Sequence, residues 1–163
     1  MKRNRILAGI IATMLLCVGV FCGCDKNIGT LYSLEEVYAA QEIGKDDLLN
    51  IAYHNGDAER NKDALEGFEP KPIGELSEEK ALKMRECMAE RYRNNGDAPE
   101  ATAENISITD YLGCYNGYYA IRFTDNLFDY PEWEEDPESY IQEVGGIEFF
   151  HWHTSLIFLW KET

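Results

Sequence analysis

Carboxylates and aromatic rings are concentrated in residues 125–143, a segment without Lys or Arg. Hard cations bind clustered carboxylate oxygens, and acidic side chains beside aromatic rings can also hold a basic peptide or a sugar. The regular calcium-binding loop with its fixed glycine is absent, so the segment predicts a contact surface for a ligand or partner. The alternative is a solvated loop whose aromatic rings pack against the domain. The candidate contact residues are Tyr130, Trp133, Glu134, Glu135 and Asp136.

Two histidines near the end of the chain could ligate a metal. His151 and His153 lie two positions apart, which places both imidazoles on the same side of a strand. Zinc accepts imidazole ligands, but two of them do not complete a site, so a third ligand would have to come from His54 or a carboxylate. The alternative interpretation is a pair of surface histidines beside a turn. The sequence indicates no cofactor.

An enzyme built from this chain would have to use carboxylates such as Glu132, Glu134 or Asp136. Two carboxylates at the right separation can hydrolyse a glycosidic bond, but the sequence does not give their separation. A nucleophile-dependent enzyme is disfavoured, because the sequence has neither a Gly-x-Ser-x-Gly elbow nor a phosphate-binding loop. A non-catalytic binding module is therefore the first hypothesis, with a small enzyme or a metal-binding protein as the alternative.

The first 24 residues have the layout of an export signal. Three basic residues within the first five positions precede an apolar run over residues 6–20. That run is shorter than the roughly 20 residues that a membrane-spanning helix needs. We therefore expect a cleaved signal peptide, and an uncleaved signal-anchor helix is the alternative.

The segment that ends at Cys24 resembles the lipobox of bacterial lipoproteins. Gly23 is the small residue before the cysteine, and Phe21 and Cys22 stand where that pattern prefers Leu and Ala or Ser. The resemblance implies diacylglycerol on the Cys24 sulfur and cleavage of the Gly23–Cys24 bond. Two acyl chains hold a protein stably at a membrane, because burial of each methylene contributes about 0.8 kcal/mol. We therefore expect a lipid-anchored protein that faces outward from a bacterial cell membrane.

The rest of the chain is also similar to small uncharacterised lipoproteins of Gram-positive bacteria. The similar stretches are residues 32–38, 46–49, 51–56 and 157–161. This resemblance implies a location at the membrane and transfers no catalytic residues.

Composition limits the partners of the chain. Removal of residues 1–23 takes away three of the 15 Lys plus Arg residues and none of the 30 Asp plus Glu residues, which leaves 12 against 30 and a net charge of −18. A surface this acidic repels nucleic acid, and it favours cations, basic partners or simply solubility. We expect a membrane contact through the lipid anchor and an envelope protein, a peptide or a cation as further partner.

Two cysteines, Cys87 and Cys114, are expected in the mature chain besides the lipidated one. An exported protein can join such a pair in a disulfide. The alternative is that both are small buried apolar side chains.

The predicted fold class is α+β, with two short N-terminal helices followed by one long helix packed on a four-stranded antiparallel sheet. One domain is expected over residues 33–163, after a signal peptide over 1–23 and a lipidated cysteine with its tether over 24–32. Neither short helix is long enough to be stable alone, so both must pack on the rest of the domain.

Helix boundaries follow from capping residues. Ser33 and Glu36 form a capping box for a first helix over 34–42, which Gly44 is expected to end. A second helix begins near residue 46, and Ser77 begins a long helix that reaches about Arg93. The apolar stripe of the long helix comprises Ala81, Met84, Met88 and Tyr92, with Cys87 alongside.

Two hairpins are expected in the second half of the chain. Asn116-Gly117 is a strong two-residue turn signal, and it pairs Tyr115 with Tyr118, Cys114 with Tyr119 and Leu112 with Ile121. The last two pairs are expected on one face, toward the core. Asp110 would then point toward the core opposite Phe123, which suggests a bulge. The second hairpin is predicted between residues 147–152 and 156–160, both apolar on two faces.

Overall fold

The computed structural model of the chain describes residues 28–127, 141–151 and 156–163. The expected signal peptide, Cys24, the five candidate contact residues between 130 and 136, and His153 lie outside these ranges. The described elements follow one another in the order β1 (Thr30–Ser33), α1 (Leu34–Ala39), α2 (Lys45–His54), α3 (Glu78–Asn95), β2 (Ile106–Tyr115), β3 (Tyr118–Asp125), β4 (Ile141–Val144), β5 (Ile147–Phe150) and β6 (Ile157–Lys161).

Four of the strands form one antiparallel sheet in the order β1–β6–β3–β2, and β4 pairs with β5 as a separate antiparallel hairpin. The prediction of a mixed fold of helices and strands with a four-stranded antiparallel sheet is confirmed. The membership of the sheet differs from the prediction, because β1 belongs to it and β5 does not.

The sheet is covered on both faces. On one face α3 packs through Met84, Cys87 and Met88, which are at most 3% exposed. On the other face α1, α2 and the β4–β5 hairpin share a second core. The buried residues of that second core include Leu34, Val37, Leu48, Ile51, Leu112, Ile147, Phe149 and Leu159.

The central strand β6 contributes to both cores. Leu159 belongs to the core under α1 and α2, while Trp160 belongs to the core under α3, and both side chains are fully buried. A strand that is buried on both faces needs apolar residues at successive positions. This central position explains why the sequence of residues 157–160 is apolar on both faces.

The first helix begins at the predicted capping box. The Glu36 backbone N–H donates to Ser33 Oγ (3.1 Å), and the Ser33 N–H donates to Glu36 Oε2 (2.8 Å). The helix ends at Ala39, earlier than predicted, and Gln41 then takes a left-handed φ of 59°. Gly44 does not end this helix. It caps the start of α2, where its N–H donates to the side chain three residues on (2.8 Å).

The long helix α3 begins after Ser77, whose Oγ accepts from the Lys80 backbone N–H (3.4 Å). It runs two residues beyond the predicted end at Arg93, and Gly96 follows it with a left-handed φ of 77°. Glycine is suited to this position because a side chain would strain the left-handed conformation.

The β2–β3 hairpin has the predicted register only beside its turn. Around Asn116-Gly117, Tyr115 pairs with Tyr118 and Cys114 pairs with Tyr119, as predicted. The sequence predicts that Cys114 points toward the core. This prediction is wrong, because Cys114 is exposed to solvent.

A bulge at Leu112 overturns the third predicted pair. Ile121 lies opposite Tyr111, not Leu112, and the register shifts between Tyr111 and Gly113. Gly113 takes a φ of 113°, and the Tyr115 hydroxyl donates to the Leu112 carbonyl (2.7 Å) within the bulge. The extra residue turns Leu112 to the face covered by α1 and α2, while Ile121 stays under α3.

A second bulge precedes Asp110, in agreement with the suspected irregularity there. Its side chain does not point into the core opposite Phe123. Because of the shift, Asp110 lies opposite Arg122 and accepts from its Nη2 (2.8 Å) and Nε (3.0 Å). An acidic residue that sequence alone places in the core is thus paired with a cation at the sheet surface.

The predicted second hairpin is wrong. Ile147–Phe150 pairs with Ile141–Val144 across a two-residue Gly145-Gly146 turn with positive φ at both positions. Such a short local turn favours the nearer strand as partner. Ile157–Lys161 is free to enter the main sheet between β1 and β3.

Candidate functional site

The first described residues are held firmly against the central strand. Trp160 Nε1 donates to the Ile28 carbonyl (2.8 Å). Gly29 follows with a φ of 84°, and a Cβ added there would lie 2.5 Å from the Trp160 ring and 2.6 Å from the Lys161 carbonyl oxygen. Only glycine has both the conformational freedom and the small size that this position requires.

The folded part of the chain begins earlier than predicted. Thr30–Ser33 is strand β1, paired antiparallel with β6 from Thr30 opposite Lys161 to Ser33 opposite Phe158. The predicted tether over 24–32 is therefore wrong for residues 30–32. In sequence, a short stretch directly after a signal peptide looks like a linker. Thr30–Ser33 forms a strand because it pairs with β6, near the far end of the chain.

The two cysteines of the domain are not bonded to each other. Cys114 is a free, exposed thiol. Cys87 is fully buried and disulfide-bonded, and its Sγ lies 3.6 Å from the Gly29 carbonyl oxygen. Both alternatives drawn from the sequence are therefore wrong, since the pair forms no disulfide and only Cys87 is buried.

A shallow, open groove runs along α3 beside the start of the described chain. Its lining residues are Ile28, Glu86, Glu90, Arg93 and Asn94. Two of its three charged side chains, Glu86 and Glu90, are acidic. The groove is thus a polar surface beside Ile28 at one end of α3.

The exposed Cys114 thiol lies on a surface of tyrosines and a lysine. Lys80 Nζ donates to the Tyr119 hydroxyl and lies 4.4 Å from the centroid of that ring. The hydrogen bond to Tyr119 is the main reason that the pKa of Lys80 is raised. Tyr111 stacks on Tyr119 with 6.4 Å between ring centroids.

These tyrosines are not suited to proton abstraction near neutral pH. Burial, with a smaller electrostatic contribution from the neighbouring Cys114, raises the pKa of Tyr111 to about 12. Burial also raises the pKa of Tyr115 to about 12, although the hydrogen bond from Asn50 acts in the opposite direction. A phenol with such a pKa stays neutral at pH 7, so this surface offers aromatic contact and hydrogen bonding rather than base catalysis.

A polar cluster lies where the chain leaves α2. Asp57 is 3% exposed, and both its carboxylate oxygens lie 3.2 Å from the Phe150 backbone nitrogen, which donates to them. Asn55 Nδ2 donates to Asp57 Oδ2 (2.6 Å) and to the Phe150 carbonyl (3.0 Å). Burial raises the pKa of Asp57 despite these hydrogen bonds. Each hydrogen bond to the Asp57 carboxylate joins one part of the fold to another. No pattern in the sequence predicts this cluster.

Of the two candidate metal-ligating histidines, only His151 lies among the described residues, and His153 lies outside them. His151 is half-buried just after β5, while His54 is engaged by its Nε2, which lies 2.8 Å from the Lys71 carbonyl oxygen. The described ranges contain no group of three or more His, Cys, Asp or Glu side chains that could hold a metal ion.

Two ends of the acidic segment fall within the described residues. Asp125 accepts from the Tyr92 hydroxyl (2.8 Å) and from the Leu127 N–H (3.2 Å), so it fastens the end of β3 to α3. Glu143 is exposed on β4. Asp125 is therefore a structural residue, whereas Glu143 remains open to solvent.

No helix among the described residues combines the length and the apolar character needed to cross a membrane. No model of a protein family matches the chain, and neither a curated protein nor a solved structure matches it.

Proposed function

We propose that this protein is a bacterial lipoprotein, anchored through Cys24 to the outer face of the cell membrane, and that its domain is a non-catalytic binding module. The observation that carries the proposal is the short distance between the lipobox cysteine and the folded domain. Only residues 25–27 separate Cys24 from Ile28, whose carbonyl accepts from Trp160 Nε1. Four extended residues span at most about 14 Å.

A short tether has a physical consequence for the module. The domain stays within about 14 Å of the membrane surface, which favours partners that belong to the membrane or to the adjacent envelope. The strongly acidic composition adds repulsion from anionic headgroups, so the lipid chains rather than the protein surface supply the attachment. An envelope protein, a peptide or a cation is the proposed further partner.

The fold class belongs to the same proposal. We propose an α+β domain in which two short helices precede one long helix that packs on a four-stranded antiparallel sheet. The support is the burial of Leu34 and Val37 in α1 and of Leu48 and Ile51 in α2 against the face of the sheet opposite α3.

A binding role is favoured over catalysis by the chemistry of the described residues. The buried carboxylate of Asp57 accepts hydrogen bonds from the Phe150 N–H and from Asn55 Nδ2, and burial raises the pKa of Tyr111 and of Tyr115 to about 12. We propose that contact with the partner is made by the segment that carries Tyr130, Trp133, Glu134, Glu135 and Asp136. An envelope enzyme that uses the carboxylates of this segment is the second candidate, and a metal-binding lipoprotein that uses His151 and His153 is the third.

The anchor is tested by phase partition of the full chain expressed in a bacterium that processes lipoproteins. Wild-type protein should enter the detergent phase, with an N-terminal peptide whose mass carries diacylglycerol on Cys24. Cys24→Ser should move the protein to the aqueous phase, while the matched variant Cys22→Ser should stay in the detergent phase. If Cys24→Ser is membrane-bound and unprocessed, the segment is a signal anchor and the proposal is wrong.

The contact surface is tested by cross-linking of intact cells. Neutralising Glu134, Glu135 and Asp136 to their amides should remove the cross-linked species formed by wild-type protein. A matched control neutralises three exposed acids of another loop, Glu66, Glu69 and Glu75, and should leave these species unchanged. Equal loss in both variants would indicate a charge effect without a local contact surface.

A further inference from the structure

Three asparagines in the chain are followed directly by glycine: Asn55, Asn95 and Asn116. In such a pair the backbone nitrogen of the glycine can attack the side-chain Cγ of the asparagine, because glycine has no Cβ that obstructs the approach. The attack needs a glycine N–H that can lose its proton and an asparagine side chain that can turn. All three pairs have the same two residues, so the fold decides which of them can react.

The glycine N–H is already bonded in the first two pairs. The Gly56 N–H donates to the Tyr53 carbonyl (3.1 Å), and the Gly96 N–H donates to the Arg93 carbonyl (3.1 Å). A bonded N–H becomes available only when the structure opens locally, which has a free-energy cost. The hydrogen bonds at the ends of α2 and α3 therefore protect both pairs.

The Asn55 side chain is restrained as well. Its Nδ2 donates to Asp57 Oδ2 (2.6 Å) and to the Phe150 carbonyl (3.0 Å), and its Oδ1 is buried. The amide cannot turn toward the Gly56 nitrogen without breaking both of these hydrogen bonds.

The third pair lies at the tip of the β2–β3 hairpin. Asn116 and Gly117 are both exposed, with φ values of 50° and 80°. A two-residue turn is closed by the residues that flank it, here Tyr115 and Tyr118. Within the described residues, the Gly117 N–H has no hydrogen-bond acceptor. This pair therefore lacks the protection that the other two pairs have.

The Asn116 side chain joins the hairpin tip to the loop after α1. Its Nδ2 donates to the Glu42 carbonyl (2.9 Å) and to Glu42 Oε2 (3.1 Å). At an exposed position water can replace such hydrogen bonds at little net cost, so they delay the turning of the amide only slightly. Both partners are acceptor oxygens, so the contact depends on the N–H groups of the asparagine amide.

We propose that Asn116 is a site of spontaneous deamidation, and that the loss of its amide releases the β2–β3 turn from the loop after α1. The Gly117 nitrogen gives its proton to water and bonds to Asn116 Cγ. The Cγ–Nδ2 bond breaks, and the amide nitrogen takes up a proton from water and leaves as ammonia. Water then adds to one of the two carbonyl carbons of the succinimide ring and breaks the bond from that carbon to the ring nitrogen. The product is aspartate or isoaspartate, and no group is oxidised or reduced.

The released turn follows from the charge of the product. The new carboxylate lies beside the carbonyl and carboxylate oxygens of Glu42, so an attractive contact becomes a repulsive one. The Glu42 backbone N–H still donates to the Val37 carbonyl (3.1 Å), so the loosening should stay within residues 41–45. This modification depends neither on the proposed lipid anchor nor on a partner protein.

Deamidation is tested in the purified full chain, which is incubated in mildly alkaline buffer and then digested at acidic pH, where the reaction is slow. Mass spectrometry detects the replacement of the NH₂ group by OH, and chromatography separates isoaspartate from aspartate peptides. The Asn116 peptide should convert at least about tenfold faster than the Asn55 and Asn95 peptides, because a hydrogen bond at the glycine N–H is worth about that factor. The same chain in urea is the control, and its three rates should become similar because no pair is then protected.

Two results would overturn the selection of Asn116 by the fold. One is conversion of Asn55 or Asn95 in the folded protein at a rate that equals or exceeds that of Asn116. The other is a ratio of rates that stays unchanged in urea, which would mean that the neighbouring sequence rather than the fold selects the site.

The release of the turn is tested with Asn116→Asp, by hydrogen exchange of the amides of residues 41–45. Asp-Gly forms the same type of turn as Asn-Gly, so the variant keeps its hairpin. The amides of residues 41–45 should exchange faster than in the wild type, whereas the matched variant Asn95→Asp at the end of α3 should leave them unchanged. Equal exchange in Asn116→Asp and the wild type would show that the Glu42 contact does not hold the loop, and would overturn the proposed release.

Discussion

Asn61 pairs with the backbone of Glu148 in the way that a neighbouring β-strand would. Its Nδ2 donates to the Glu148 carbonyl (2.8 Å), and the Glu148 N–H donates to its Oδ1 (2.9 Å). Strand β5 has β4 on one side only, so the Asn61 amide supplies hydrogen bonds at the other edge. Asp57 continues this edge by accepting from the Phe150 N–H. The loop after α2 thus closes a strand edge that would otherwise be open to pairing.

Asn50 makes the same kind of paired hydrogen bonds, to the backbone of Lys71 in the segment after α2. The Lys71 N–H donates to Asn50 Oδ1 (2.7 Å), and Asn50 Nδ2 donates to the Lys71 carbonyl (3.3 Å) and to the Tyr115 hydroxyl (2.8 Å). Asn50 is 2% exposed. The buried amide side chains of Asn61 and Asn50 therefore hold two segments without regular structure in place. A neutral amide costs less free energy to bury than a charged group does.

Replacing Asn61 by Ala should lower the free energy of unfolding by about 2–4 kcal/mol, because the backbone N–H and carbonyl of Glu148 lose their partner. The loss should appear as a lower urea midpoint with an unchanged slope. Asn94→Ala is the matched control at an exposed position, and it should change the free energy by less than about 0.5 kcal/mol. Equal effects of the two substitutions would mean that the Asn61 contact contributes nothing specific.

Local signals in the sequence were sufficient for the elements that are determined by neighbouring residues. The capping box of Ser33 and Glu36, the start of α3 at Ser77 and the turn at Asn116-Gly117 all depend on groups within four positions. Their chemistry is visible in any short window of sequence. The register of β2 and β3 was correct as far as the first bulge and no farther.

The errors arose where distant residues decide the structure. Strand β1 exists because β6, at the other end of the chain, pairs with it. The bulge at Leu112 is the exception, because local groups hold it: Gly113 takes a positive φ, and the Tyr115 hydroxyl donates to the Leu112 carbonyl. The polar loop with Asp57 and Asn61 looks like a solvated connection in sequence, and only the fold shows that it closes β5. The proposed anchor and contact residues lie outside the described ranges and stay predictions.

Gly29→Ala should destabilise the domain more than the same change at Gly56. Both glycines have a φ near 85°, but a Cβ at Gly29 meets the Trp160 ring and a carbonyl oxygen, whereas nothing lies within 4 Å of a Cβ at Gly56. The two substitutions therefore share the cost of a left-handed alanine, and Gly29→Ala adds overpacking worth about 1–3 kcal/mol. Thermal or urea unfolding measures the difference. Equal losses would indicate that β1 can move away from Trp160 without cost.

Trp160→Phe should loosen the start of the domain selectively. Phenylalanine keeps an aromatic ring in the core but removes the Nε1 donor that holds the Ile28 carbonyl. The amides of β1 should then exchange hydrogen faster, since local opening at an edge strand costs less than global unfolding. Amides of β3 report on global stability as the internal control. A uniform acceleration in both strands would mean that the substitution acts through core packing alone.

The pH dependence of stability should reveal the buried carboxylate of Asp57. Its pKa is raised in the folded state above the ordinary value of 3.8, mainly by burial. The folded state therefore binds the proton more tightly than the unfolded state, so this group stabilises the fold below pH 3.8 and loses that contribution as pH rises through the folded-state pKa.

Because other carboxylates titrate in the same range, the informative quantity is the difference in unfolding free energy between wild type and Asp57→Asn. Asparagine cannot ionise, yet its side-chain oxygen can still accept from the Phe150 N–H. The difference, wild type minus variant, should fall as pH increases from below 3.8 toward neutrality, and urea unfolding at a series of pH values measures it. A difference that rises with pH would mean that the hydrogen bonds from Phe150 and Asn55 outweigh burial and that the pKa of Asp57 is lowered in the folded protein.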